Sequence, residues 1–369
     1  MKIPFLNFDP MHKPIKNEML EAFLSVYDNN WFILGKHLQD FEYAYANFNN
    51  TKYALGVSNG LDALYLSLMS LGIGQGDEVI MPSNTFIATA LAVSYTGATP
   101  VFVEPNYQTY LLDPSLITKA IKSNTKAIIP VHLYGQACEM DEIMAIANQY
   151  DVKVVEDNAQ AHGAKYNGRL TGSFGSINAT SFYPGKNLGA LGDAGAITTN
   201  DQALAEKVLM SRNYGSKEKY KHEFIGHNMR LDELQAAFLN VKLKYINKWT
   251  LERQEIASWY NEALENIPSL VLPFTAANST HVYHLYVIRT EKRDLLQKFL
   301  FENGVGTLIH YPIPPFKQNA YRHLGYNDES FPIANKLSST SLSLPLWPGM
   351  TKKNVGEVAS LIEKFFKQP

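Results

Sequence analysis

From residue 54 onward the chain repeats one pattern: a short apolar run, a turn rich in Gly, Pro, Ser or Asn, and then a helical stretch. The pattern predicts strands at 54–57, 78–81, 99–102, 127–131 and 152–155. Helices are predicted in LDALYLSLMSLG, in FIATALAVSYTG and over 140–149. Strands alternating with helices imply an α/β fold whose sheet is mostly parallel and covered on both faces. Two more apolar segments, 179–183 and 194–198, flank a Gly-rich turn. Amphipathic helices are predicted at 17–26 and 38–48, ahead of the alternation, and at 203–212 after it. A long helix is predicted over 231–260, because Leu231, Leu234, Phe238, Val241 and Tyr245 fall on one helical face.

A chain of 369 residues is long for one hydrophobic core. The expected division is a large α/β domain over 1–246 and a smaller α+β domain over 247–369. The latter would hold strands at 283–288 and 307–309 and helices at 293–303 and 353–366. The 33 Lys and Arg against 35 Asp and Glu leave a net charge of −2, which excludes strong non-specific nucleic-acid binding by the whole chain. A single cysteine, Cys138, excludes an intrachain disulfide and a multi-cysteine metal cluster. It reads as structural. The ten histidines are scattered without metal-ligand spacing, so no metal is expected. No apolar run approaches the ~18 residues of a membrane span, and the N-terminus lacks a signal-peptide core. The expectation is a cytoplasmic protein without membrane partners.

The candidate chemistry sits at predicted strand ends. In SFYPGKNLGALGDAGA, Lys186 occupies a turn with Gly185, Gly189, Gly192 and Gly195 around it. A lysine held there can form a Schiff base with an aldehyde cofactor if its amine is partly neutral, or can be a solvated hairpin residue. In VKVVEDNAQAHG, Asp157 follows a buried strand. It can pair with a protonated pyridine nitrogen or cap a helix. Gln160, three residues on, can meet a ring hydroxyl. Ser58-Asn59-Gly60-Leu61-Asp62 reads as a strand, a glycine turn and a helix start, where free amides can bind phosphate or simply make a capped turn. Ser181 adds a hydroxyl, and Phe86 is either a stacking ring or a core aromatic. Gly72-Ile-Gly74-Gln-Gly76 precedes a strand and is therefore a turn, not a dinucleotide fingerprint. Arg212 to His222 forms a small basic island, either solvated or phosphate-binding. His310-Tyr311 with Pro312, Pro314 and Pro315 is either a stiff connector or part of a pocket.

SNGLDAL, PSNTFIATA, VHLYGQ, VEDNAQAHGA, SFYPGKNLGALGDAGA, GHNMRLDELQAA and HYPIPP together resemble the DegT/DnrJ/EryC1/StrS family of sugar aminotransferases over nearly the whole chain. The resemblance implies an aspartate-aminotransferase-like fold with a mixed sheet, and pyridoxal 5′-phosphate (PLP) as cofactor. It implies Lys186 as the Schiff-base lysine, Asp157 on the pyridine nitrogen and Gln160 on the ring hydroxyl. Phe86 would stack on the ring. Gly60, Leu61, Asp62 and Ser181 would hold the phosphate. Asn228 would reach the phosphate from the other subunit of a homodimer. The run around Lys186 resembles the branch acting at C-3 of nucleotide-linked 3-keto-6-deoxyhexoses; the C-4 branch is the alternative. The implied substrates are a dTDP-linked keto sugar and L-glutamate, with Tyr183, Lys219, His310 and Tyr311 on the sugar-nucleotide side. Leu61 stands where Ser or Thr is frequent, and Phe316-Lys317 stands where His often follows the prolines. A dehydratase of this fold would carry His in place of Lys186, and a sensing protein would tolerate loss of Lys186 or Asp157. An amino-acid aminotransferase would need an arginine for the substrate carboxylate.

Overall fold

In the computed structural model, which describes residues 1–367, the alternating pattern forms one seven-stranded sheet. Helices α1 (Lys16–Asn29) and α2 (Lys36–Asn49) precede β1 (Tyr53–Val57). The chain continues through α3 (Gly60–Ser70), β2 (Glu78–Pro82), α4 (Ile87–Tyr95), β3 (Thr99–Val103), α5 (Pro114–Ala120) and β4 (Thr125–Ile128). It goes on through α6 (Met140–Gln149), β5 (Lys153–Asp157), β6 (Ile177–Ser181) and β7 (Gly195–Thr199). The spatial order is β1-β7-β6-β5-β4-β2-β3. Strand β7 is antiparallel to both neighbours, and the other pairs are parallel. Consecutive residues Val79, Ile80 and Met81 are all fully buried, so both faces of β2 are covered, as a parallel sheet requires. The five strands predicted between residues 54 and 155 and the two apolar segments after them all lie in this sheet.

Six strands point one way, so their carboxyl ends share one edge, where open α/β sheets bind ligands. Gly195 lets β7 lie between β1 and β6 there. A Cβ at this position would stand 2.4 Å from the Asn59 carbonyl oxygen and 2.9 Å from that of Thr180.

Beyond α7 (Gln202–Ser211) the predicted long helix is two helices, α8 (Glu233–Leu243) and α9 (Ile246–Leu264). The break has a local cause. The Tyr245 amide donates to Lys242 in a tightened turn at 3.0 Å, and the Tyr245 hydroxyl is held by Glu18 of α1. The bend turns α9 toward a second core built from Tyr260, Tyr286, Leu296, Leu342 and Val358, to which Ile3 also belongs. There β8 (Tyr286–Arg289), α10 (Arg293–Glu302), α11 (Pro332–Thr340), β9 (Ser341–Leu344) and α12 (Lys352–Lys367) follow.

The strand predicted at 307–309 is absent; Leu308 makes only a bridge to Ser343. The partner of β8 is instead β9, in antiparallel register. No strand is predicted there from the sequence, yet Ser341 and Ser343 are as buried as Leu342 and Leu344. Among the described residues no helix is long and apolar enough to cross a membrane.

Candidate active site at the carboxyl edge of the sheet

Four connections after parallel strands converge at this edge. After β6 the chain enters a compact bend in which the Lys186 amide donates to the Tyr183 carbonyl at 2.8 Å and the Ala190 amide to the Phe182 carbonyl at 2.7 Å. The bend turns the Lys186 side chain into the cleft, where it keeps some accessible surface while protein surrounds its amine. Desolvation pulls the amine down to about 8, and the negative charge of Asp157 opposes the shift. The two groups are therefore electrostatic neighbours.

Asp157 ends β5 and is 7% exposed. Its Oδ2 accepts from Thr89 Oγ1 at 2.9 Å and its Oδ1 from the Ala159 amide at 3.2 Å. Both donors are neutral. Burial raises the Asp157 carboxyl, and these hydrogen bonds, Lys186 and His132 only partly oppose it. Among the described residues the carboxyl thus makes no ion pair, a costly state that a cationic ligand atom would relieve. Behind it, His132 accepts from the Cys138 amide through Nδ1 at 3.0 Å, so its Nε2 carries the proton and donates to buried Glu156 at 2.8 Å. Cys138 is fully buried and its thiol is pushed well up by burial, in keeping with a structural residue.

Gln160 lies beside Asp157. Its Oε1 accepts from the Tyr134 amide at 2.6 Å and its Nε2 donates to the Tyr311 hydroxyl at 2.9 Å, leaving one N–H free. Tyr134 in turn donates its hydroxyl to the His310 carbonyl. This chain of contacts brings the 310–311 segment to the cleft wall. Phe86 packs a ring 5.0 Å from that of Tyr311 yet stays 49% exposed, so it is not a core aromatic.

The turn after β1 faces Ser181. A Cβ on Gly60 would stand 2.6 Å from Ser181 Cβ, so only glycine brings the turn this close. The Gly60 and Leu61 amides have no acceptor among the described residues. The Asp62 amide differs from expectation: it donates to Asn59 Oδ1 at 2.9 Å, an N-cap bond that commits it. Ser181 Oγ accepts from the Tyr183 amide at 3.2 Å and keeps its proton to donate. Two free amides, one hydroxyl and a glycine-made opening at a helix N-terminus form a cradle for an anion.

Other expected residues lie apart. Tyr183 is 59% exposed at the rim. Lys219 sits on an exposed hairpin over the Tyr220 ring, at 5.2 Å, and touches none of the residues above. Asn228 is exposed on the bridge to Asn213. The basic island is smaller than the sequence suggests, because Arg212 is buried against Glu42 and the Gly56 carbonyl. Phe316 is no pocket residue; it packs at 4.7 Å against Phe331 in the main core.

Several contributors escaped the sequence reading. Thr89 and Tyr134 lay inside quoted motifs but were not singled out. Three buried histidines feel the charge of the Lys186 amine: His162 is pulled to about 3 and His310 to about 4, by burial first and Lys186 second. His284 is lowered for the same leading reason. All three stay neutral, so Asp157 is the one charged group among them facing the amine. His310 is among the sugar-side candidates named above; the sequence positions of His162 and His284 carry no signal of their own. No group of three or more potential metal-ligating side chains is found among the described residues.

Similarity to known proteins extends over nearly the whole chain. The model of the DegT/DnrJ/EryC1/StrS aminotransferase family matches residues 13–363. A dTDP-3-amino-3,6-dideoxy-alpha-D-galactopyranose transaminase from Aneurinibacillus thermoaerophilus is 50% identical over 98% of this chain and 99% of its own. The crystal structure of Streptomyces venezuelae DesV, in complex with a ketimine intermediate, superposes with a TM-score of 0.98 at 44% identity, covering 100% of this chain and 99% of DesV. The structure of NtdA from Bacillus subtilis with bound cofactor PMP gives 0.92 at 34% identity, over 100% of this chain and 86% of NtdA.

Proposed function

The chain belongs to the DegT/DnrJ/EryC1/StrS aminotransferase family, whose cofactor is PLP, and on that premise we propose that it moves an amino group from L-glutamate to C-3 of a dTDP-linked 3-keto-6-deoxyhexose. The sugar is of the galacto series, giving a 3-amino-3,6-dideoxygalactose (Fuc3N-type) product. The observation that carries the reading is the opposed pair at one cleft: an amine pulled down to about 8 beside a buried carboxyl without an ionic partner. The 50% identity to a transaminase of the dTDP-3-amino-galacto series supports the choice of sugar.

The residues present fit PLP. Gly60 and Leu61 would hold its phosphate through their amides and Ser181 through its hydroxyl. Phe86 would cover the ring, the free N–H of Gln160 would meet the ring hydroxyl, and Asp157 would face the ring nitrogen. When bound, the cofactor supplies an aldehyde for amine exchange and a ring that spreads negative charge away from the reacting carbon. Lys186 would hold the aldehyde through its amine. A neutral amine at this position would accept the proton from the glutamate α-carbon and deliver one to C-3 of the sugar. An amine near 8 does both at neutral pH, where one at 10.5 would stay protonated. Asp157, fixed by Thr89 and Ala159, would keep the ring nitrogen protonated. His310 and Tyr311 line the sugar side, with Tyr183 at the rim.

Lys219 and Asn228 are exposed, which suits a site completed by a second copy of the chain. On α1, Leu20, Phe23, Leu24 and Tyr27 form an exposed apolar stripe at helical spacing, continued by Trp31 and Phe32. A homodimer would cover it. The division into domains at residues 246 and 247 belongs to the same reading.

The test is turnover of both C-4 epimers of the dTDP-linked 3-keto-6-deoxyhexose with glutamate, with products read by NMR. The galacto epimer is expected to be the faster substrate, with nitrogen at C-3. Exclusive use of the gluco epimer would overturn the choice of sugar.

A further inference from the structure

Behind the Lys186 bend stands a second lysine that the reading above does not use. Lys242 of α8 is 2% exposed, and its ammonium donates to the Gly189 carbonyl at 2.7 Å, its one acceptor among the described residues. Two residues further on, the Leu191 amide donates to Gln235 Oε1 at 2.8 Å. Gln235 and Lys242 are two helical turns apart on α8 and so share a face. That face grips the bend on both sides of Ala190, just past Lys186.

The bend has little slack of its own. A Cβ on Gly189 would stand 2.2 Å from the Pro184 carbonyl oxygen. Helix α8 is itself anchored, because the buried Glu233 carboxylate accepts from the amides of Gly35 at 2.7 Å, His37 at 2.9 Å and Leu38 at 3.1 Å. A buried amine is a poor way to fill space. Desolvation pulls Lys242 down to about 8, and the titratable group facing it is His12, itself pulled to about 4 by burial and by Lys242. A methionine would fill the volume without this cost. What the amine adds is a hydrogen bond to the bend.

We propose that Lys242, with Gln235, is a positioning residue that clamps the 184–191 bend against α8 and so holds the Lys186 amine in the cleft beside Asp157. The proposal rests on Lys186 being the reacting amine.

The experiment uses K242M and Q235A, each measured first without cofactor. The rate of acylation of Lys186 by acetic anhydride is followed against pH by peptide mass spectrometry. In K242M the Lys186 midpoint is expected to rise from near 8 by about one pH unit, because a released side chain is resolvated. With cofactor, kcat is expected to fall about tenfold to hundredfold while the sugar KM moves less than about threefold. Q235A is expected to shift both in the same direction by less. An unchanged Lys186 midpoint in folded K242M overturns the proposal, as does a shifted midpoint with unchanged kcat. If circular dichroism shows K242M unfolded, an unchanged midpoint in Q235A overturns it. Turnover by a Lys186→Ala variant would sink the assignment of Lys186 instead. The cofactor-free comparison does not depend on that result.

Discussion

Lys186 and Asp157 are each costly where they stand, and each lessens the cost of the other. The lysine loses hydration and falls to about 8; the aspartate loses hydration and rises. A single buried amine of this kind titrates two units or more below a solvated lysine. Acylation of Lys186 in the cofactor-free protein is therefore expected to reach half its limiting rate near pH 8, against about 10.4 for a free lysine peptide followed in the same reaction. A Lys186 profile matching that of the free peptide would contradict the desolvated amine. The Thr89 hydroxyl, donating to Asp157 at 2.9 Å, is what fixes the carboxylate plane. In sequence Thr89 is one of three hydroxyl residues in PSNTFIATA, with Ser83 and Thr85. Only the fold shows which of them meets a strand end 68 residues away.

At the scale of elements, the site is made by three turns and one strand edge. The turn after β1 approaches Ser181 because residue 60 has no side chain. Gly60→Ala is expected to leave the chain folded but to weaken cofactor binding by about tenfold or more, since the new methyl pushes the two free amides away from Ser181. Fluorescence titration with PLP checks this, and wild-type affinity would show the cradle to be unimportant. These turns were legible in the sequence because their strands are continuous apolar runs and their glycines are isolated signals. The break at Tyr245 was not, because an unbroken helical face runs through it and the cause is a contact to Glu18 of α1. Strand β9 was not, because serine alternates with leucine there while all four residues are buried, so the polar positions give no sign of a strand covered on both faces. Lys186, Asp157 and Phe86 are candidates in the sequence by their position after predicted strands, and Gln160 and Ser181 by their spacing from Asp157 and Lys186. His162, His284 and Tyr134 arrive from segments that share no pattern.

For the whole molecule, burial of neutral histidines ties folding to pH. His12 and His310 are lowered to about 4, and His162 and His281 to about 3. Between these values and 6.5 the unfolded chain binds protons that the folded chain refuses, so stability rises with pH across that window and is lost as pH falls through it. Urea unfolding at pH 6.5 and 5.0 is expected to show a clear fall in the midpoint; equal midpoints would contradict neutral burial. The exposed α1 stripe makes a second expectation at this scale. The chain should sediment as a dimer, and Leu24→Glu should shift it toward monomer, because a charge placed in a buried apolar interface is left unpaired. A wild-type monomer at micromolar concentration would remove the support for a shared site. The central claim, amino transfer to C-3 through Lys186, is tested most directly by isotope. The protein is incubated with PLP, L-[15N]glutamate and the dTDP-linked 3-keto-6-deoxygalactose, beside a Lys186→Ala control, and the product is read by 15N-edited NMR. The account predicts label bonded at C-3 with the wild-type chain and none with the control. Label at C-4, or equal label in the control, would contradict it.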